Sequence, residues 1–255
     1  MKHFKLVTVI LVVISYLLAL GCLISCILLL INGTKPGLYK ITLPNTAKNT
    51  ATELEETFDY GDGYLKSIVF IGDKTTAKLH ESQNGISEDQ VWTGVDGTLD
   101  LDYDLPTTSV ICCGNEISLT EAIKRYSPKY VIITVGLENG VGYCNEETFK
   151  EYYGQLISAI KESSPSTRII LQSIFPVSRK ASSSTPAISN DRINKANVWI
   201  SELAAEHSVR FIDTASALKN QSGALKDEYD SGNGITLNKK GQTAVIEYIR
   251  THGYK

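Results

Sequence analysis

The sequence predicts an α/β domain built on a parallel sheet that helices cover on both faces. Three observations predict it. From Tyr64 onward, short β-rich runs alternate with helix-length amphipathic stretches. The runs Ser67–Ile71 (SIVFI) and Tyr130–Val135 (YVIITV) are almost wholly apolar, as strands buried on both faces must be. The balance of 42% apolar and 21% charged residues is globular, which excludes a disordered chain, a collagen-like repeat and a disulfide scaffold.

The first element in chain order stands apart from that domain. No residue from Leu6 to Ile31 is charged, and a helix of that length spans about 39 Å against a hydrocarbon core of roughly 30 Å. Lys2 and Lys5 before it place the N-terminus in the cytoplasm and everything after residue 32 outside. Two readings stay open. Leu23-Ile24-Ser25-Cys26 resembles a lipobox, which would make Cys26 a lipidated N-terminus. The apolar run continues to Ile31, beyond the 7–15 residues or so of a cleaved signal, which favours an uncleaved signal anchor. Either way, residues 1–32 tether a single-pass protein whose C-terminal domain is extracytoplasmic. Residues 33–63, with Gly, Pro, Asn and the acids Glu53, Glu55 and Glu56, read as a linker, and residues 64–255 as the folded domain.

Within the domain, SIVFI is a strand that runs into a Gly-Asp turn and a helix from about Thr76. Thr108–Cys112 is a second strand and YVIITV a third, with a helix over Ser118–Tyr126 between them. Ser118 precedes Glu121 by three, the spacing of a capping box. Glu146–Glu162 carries Phe149, Tyr152, Tyr153, Leu156, Ile157 and Ile160 on one face at the helical period. Arg168–Ile174 is a strand, Ile188–Glu206 a helix, Val209–Ile212 a strand and Lys239–Thr251 a closing helix.

Charge and cysteine usage exclude further classes. The net charge is −3; without Lys2 and Lys5 the exported part has 23 basic and 28 acidic residues, or −5. No basic stripe marks a nucleic-acid surface. Five cysteines without a Cys-x-x-Cys pair, and histidines that do not cluster, point to no metal site. For Cys112, Cys113 and Cys144, free thiols and a Cys113–Cys144 disulfide remain alternatives, because both partners follow strand ends. Trp92 and Trp199 read as packing residues.

Sites in such a sheet form in loops at the carboxyl ends of the strands. Three of those loops are polar: Gly72-Asp73-Lys74-Thr75-Thr76, Gly136-Leu137-Glu138-Asn139-Gly140, and Ser231-Gly232-Asn233-Gly234-Ile235-Thr236. In order and context they resemble the blocks of the SGNH/GDSL hydrolases, over roughly Tyr64 to the C-terminus. The family's Gly-Asp-Ser block matches at Gly72-Asp73, its Gly-x-Asn-Asp block at Gly136-Leu137-Glu138-Asn139, and its Asp-Gly-Ile-His-Leu-Asn block at Asn233–Asn238. Gly97, ahead of Gly94, matches the second-block glycine. The resemblance implies a three-layer, flavodoxin-like fold, no cofactor, and an esterase or deacetylase of acylated envelope glycans.

The departures fall on every position with a chemical duty. Lys74 stands where the family has its nucleophilic Ser, Asn233 at the Asp, Thr236 at the His and Glu138 at the oxyanion-hole Asn. A hydroxyl nucleophile needs a neighbouring base, and Thr236 cannot titrate near neutrality. Glu138 would set a negative charge where an oxyanion must form. A lysine-centred chemistry fails for a related reason, since an opposite charge keeps Lys74 protonated. His3, His80, His207 and His252 lie elsewhere in the chain. The expectation is therefore an inactive binding or accessory module with a membrane, envelope-glycan or membrane-protein partner, and an ion pair of at most about 4 Å between Lys74 and Glu138. If the third block is shifted by one, Asn139 instead faces the pocket.

Overall fold

A computed structural model describes residues 52–82 and 85–254. The expected anchor, its lipobox alternative and residues 33–51 lie outside the described residues. Among the described residues, no helix is long and apolar enough to cross a membrane.

Among the described residues, seven strands form two sheets. In chain order they are β1 (Ile68–Gly72), β2 (Val91–Trp92), β3 (Ser109–Cys112), β4 (Asn115–Ser118), β5 (Tyr130–Thr134), β6 (Arg168–Gln172) and β7 (Arg210–Ile212). The main sheet is parallel throughout, in the order β2-β1-β5-β6-β7. Counted within that sheet alone the order is 2-1-3-4-5, the flavodoxin-like arrangement, whose topological switch lies between β1 and β5.

Eight helices, α1 (Gly61–Leu65), α2 (Lys74–Ala77), α3 (Leu119–Tyr126), α4 (Glu146–Ser163), α5 (Arg179–Ser184), α6 (Asn190–Glu206), α7 (Ala215–Leu218) and α8 (Lys239–Thr251), complete the described body with several 3₁₀ turns. Alternation along β5 shows how the layers form. Val131 and Ile133 face α3, α4 and α6, packing with Ala122, Leu156 and Ile200. Tyr130 and Ile132 face the other way, onto α1 and α8 through Tyr64, Val245 and Ile249. Both faces are buried, so the strand carries no polar side, and each such side chain contributes about 1.5–3 kcal/mol.

Three expectations are corrected, and one open alternative is decided. Residues 52–63, read as the end of a linker, belong to the folded body: Leu54 N–H donates to the Phe211 carbonyl at 2.8 Å, and Asp59 holds Arg250 at 2.7 Å. The helix expected from Thr76 is instead one turn, α2, followed by a 3₁₀ turn over Leu79–Ser82. The strand expected over Thr108–Cys112 leaves the main sheet and pairs antiparallel with β4. Its burial alternates, Val110 and Cys112 inward and Ile111 outward, which suits a hairpin and not a doubly covered strand. Cys113 and Gly114, with φ of 49° and 72°, make its turn. That hairpin removes the basis for a Cys113–Cys144 disulfide, and Cys112, Cys113 and Cys144 are all free thiols.

Candidate functional site

The first polar loop starts where β1 meets β5. Asp73 N–H donates to the Thr134 carbonyl at 3.1 Å, holding the two strand ends together. Only glycine fits at Gly72, because a Cβ there would lie 2.6 Å from that carbonyl oxygen and 2.1 Å from Thr76 Oγ1. Asp73 then caps α2, its Oδ1 accepting from Thr75 N–H at 3.0 Å and Thr75 Oγ1 at 2.7 Å. Its side chain is buried, and Oδ2 has no hydrogen-bond partner. Burial pushes its carboxyl up to about 6, against the downward pull of the Thr75 bonds, and the charge of Glu138 adds to the rise.

Capping fixes the direction of the next residue, and Lys74 projects from the first position of α2 toward the loop after β5. Its Nζ lies 3.1 Å from Glu138 Oε2 and 3.4 Å from Oε1. Both side chains are open to water, at 53% and 37% exposure. The Glu138 hydrogen bond and charge raise the Lys74 pKa, with Asp96 and Asp100 adding to the effect. Lys74 is thus an ammonium with no lone pair to give. Asn139 is exposed, and its side chain makes no hydrogen bond. The expected ion pair is therefore present, at 3.1 Å.

Gly97 adopts a left-handed φ of 80°, and its N–H donates to the Gly94 carbonyl at 2.8 Å. Gly94 in turn donates to the Thr98 carbonyl at 2.7 Å. Both amides are therefore committed within the turn and are not directed at an oxyanion. The same residues line a cavity of about 400 Å³ with Ala77, His80 and Cys113.

The late loop is a knot of hydrogen bonds, tied to the start of α5 where Ser178 N–H donates to the Gly234 carbonyl at 2.7 Å. Asp230 Oδ1 accepts from the N–H groups of Gly232 and Gly234, both at 2.8 Å. Asn233 Oδ1 accepts from Ile235 N–H at 2.8 Å and Thr236 N–H at 2.9 Å, while its Nδ2 donates to Thr236 Oγ1 at 2.9 Å. Ser231 Oγ closes the ring 2.6 Å from Thr236 Oγ1. Asn238 then caps α8 through Gly241 N–H. So Asn233 and Thr236 do touch each other, and Lys74 and Glu138 touch each other. Among the described residues, no hydrogen bond or ion pair joins the two pairs.

None of the described histidines supplies a base to either pair. His207 closes α6 beside Gly154. His252 stacks on Tyr248, its Nδ1 2.8 Å from the Tyr248 carbonyl. His80 faces the cavity near Gly97, its Nδ1 buried without a partner.

Two participants went unnoticed in the sequence. Asp230 organises the late loop, a role signalled by the Asp-Ser-Gly-Asn-Gly composition of an Asx turn. The other is a groove of about 660 Å³ between α5 and the late loop, lined by Ser178, Arg179, Ser183, Asp230 and Asn233. No periodic pattern marks a groove assembled from residues some fifty positions apart.

Comparison with known proteins identifies the family and the fold. The profile of the GDSL-like lipase/acylhydrolase family matches residues 70–244. A solved structure from Streptococcus pneumonia, provisionally described as a platelet activating factor, is 22% identical with a TM-score of 0.50, over 71% of this chain and 81% of that one. A GDSL-like lipase from Bacteroides thetaiotaomicron is 16% identical with a TM-score of 0.49, over 72% and 85%. The periplasmic domain of a lipopolysaccharide acetyltransferase from Salmonella ser. Paratyphi A is 19% identical with a TM-score of 0.48, over 72% and 82%. No curated protein sequence matches significantly.

Proposed function

Since the chain belongs to the GDSL-like lipase/acylhydrolase family, we propose that it is a member that keeps the fold without acyl-transfer chemistry. It acts as a binding or accessory module tethered at the outer face of the cell membrane. The observation that carries this reading is the Lys74–Glu138 ion pair at the switch point. Acyl transfer there needs a deprotonated nucleophile, a base and donors for an oxyanion. The Lys74 ammonium has no lone pair to attack with, the Glu138 carboxylate is engaged by that ammonium, and the Thr236 hydroxyl is held by the Asn233 amide with no base beside it, so no activated nucleophile is present.

What remains is a polar surface. The groove between α5 and the late loop presents hydroxyl, amide and guanidinium groups, which suit a polyhydroxylated envelope glycan or a polar segment of a membrane protein. The tether rests on the apolar run Leu6–Ile31, as a signal anchor or with Cys26 lipidated.

Two experiments test the two halves. The full chain, purified in detergent, should hydrolyse p-nitrophenyl acetate no faster than buffer does; turnover that disappears in Lys74→Ala or Thr236→Ala would overturn the non-catalytic reading. On intact cells, added protease should release the domain. A domain that resists protease until the cells are lysed would overturn the outward tether.

A further inference from the structure

Two of the polar loops at the carboxyl ends of the strands contain an asparagine followed directly by a glycine. These are Asn139-Gly140 after β5 and Asn233-Gly234 in the late loop. In such a step the backbone nitrogen of the glycine can attack the amide carbon of the asparagine side chain, because glycine has no Cβ to obstruct the approach. How firmly the reacting groups are held decides whether it does.

At Asn233-Gly234 every one of those groups is engaged. Asn233 Oδ1 accepts from Ile235 N–H and Thr236 N–H, and its Nδ2 donates to Thr236 Oγ1 at 2.9 Å. Gly234 N–H donates to Asp230 Oδ1 at 2.8 Å. Attack at this step gives up all four bonds.

At Asn139-Gly140 none is engaged. Asn139 is exposed, and its amide makes no hydrogen bond among the described residues. Gly140 N–H donates to none of them either. The hydrogen bonds that shape the loop run past this step. Val141 N–H donates to the Gly136 carbonyl at 2.8 Å, Cys144 N–H to the Gly140 carbonyl at 2.9 Å, and the Cys144 thiol to the Asn139 carbonyl at 3.7 Å. The glycine itself is compulsory, since a Cβ on Gly140 would lie 2.7 Å from the Gly136 carbonyl oxygen. The turn after β5 thus demands the glycine and leaves the amide nitrogen and the side chain free to meet.

We propose that Asn139 is a site of spontaneous deamidation through Gly140, with water as the only co-reactant. The Gly140 nitrogen loses its proton to solvent base and bonds to Asn139 Cγ. The Cγ–Nδ2 bond then breaks, and Nδ2 leaves as ammonia with a proton taken from solvent. The cyclic imide that remains takes up one water at either of its two carbonyls. It opens to a carboxylate at position 139 on a normal or a β-linked backbone. The new charge stands one residue from Glu138, so the loop that pairs with Lys74 gains one negative charge as the protein ages. This inference is independent of the binding role proposed above.

The test is peptide mapping by mass spectrometry of the full chain, incubated folded and in urea at slightly alkaline pH. In the folded chain the Asn139 peptide should show the mass gain of an amide-to-acid exchange and split into two isomeric products. The Asn233 peptide should convert roughly 10²- to 10³-fold more slowly, at about fivefold for each of the four hydrogen bonds given up. In urea, where those bonds are gone, the two peptides should convert at similar rates. Asn139→Gln, whose longer side chain would have to close a larger ring, should silence the first peptide and leave the second as it was. Equal rates for the two peptides in the folded chain would overturn the proposal. So would conversion of Asn139 that is confined to urea or absent from both samples. A single unbranched product at Asn139 would mean direct hydrolysis of the side chain and would overturn the route through Gly140.

Discussion

Lys74 Nζ lies 3.1 Å from Glu138 Oε2, and the two residues come from loops at the ends of adjacent strands, 64 positions apart in sequence. They meet at the topological switch point, where a sheet of this order opens a crevice for ligands. The pair's exposure matters for energetics: water screens both charges, so the pair acts through occupancy and charge more than through stability.

A double-mutant cycle on Lys74→Ala and Glu138→Ala should give a coupling of about 0.2–1 kcal/mol that shrinks with added salt. Urea melts of the four proteins measure it. A coupling of several kcal/mol would mean that the pair is dry in solution.

Asp73 gives a pH signature. Its carboxyl rises from 3.8 to about 6 on folding, so the folded state binds the proton more tightly than the unfolded chain. The resulting stability is full below about pH 4 and is lost as pH rises through about 6. Asp73→Asn keeps a capping side chain and removes the charge. The variant should exceed the parent in stability by about 1–3 kcal/mol at pH 7.5 and match it near pH 4. Parallel pH curves for the two proteins would contradict the assignment.

The late loop depends on one side chain. Asn233→Ala removes the acceptor for two backbone amides and the donor to Thr236 Oγ1, at a cost of about 1–2 kcal/mol. Hydrogen exchange should speed up at Ile235 and Thr236 and stay unchanged at Thr75.

The thiols differ in access. Cys113, exposed at the hairpin turn, should react with maleimide within the native protein, whereas buried Cys112 should react only after unfolding. Peptide mapping would distinguish them, and a Cys113–Cys144 peptide under non-reducing conditions would contradict the hairpin.

Legibility in the sequence followed local redundancy. Lys239–Thr251 was readable to the residue because amphipathic period and the Asn238 cap agree. The strand Tyr130–Thr134 was readable because burial on both faces leaves it no polar position. β2 went unread: two residues, Val91 and Trp92, are too short for any period, and only their register with Phe70 and Ile71 makes them a strand. Thr108–Cys112 is legible as a strand, but the βα rhythm around it points to the main sheet, and only its inward-outward alternation marks the hairpin. Within the site, the pairing of 74 with 138 is legible only through the resemblance to the family's blocks, which brings the two loops together, and from the opposite signs of the two residues. The engaged amides of Gly94 and Gly97 are not legible, because a turn's hydrogen bonds depend on dihedral angles that the letters leave free.

Labelling with a fluorophosphonate probe tests most directly whether position 74 has left acyl chemistry. The probe requires an activated hydroxyl nucleophile, and an ammonium paired with a carboxylate supplies none. The full chain should remain unlabelled beside an active serine hydrolase treated in parallel. Stoichiometric labelling that a single substitution in the Lys74, Glu138 or Thr236 loop abolishes would contradict the account.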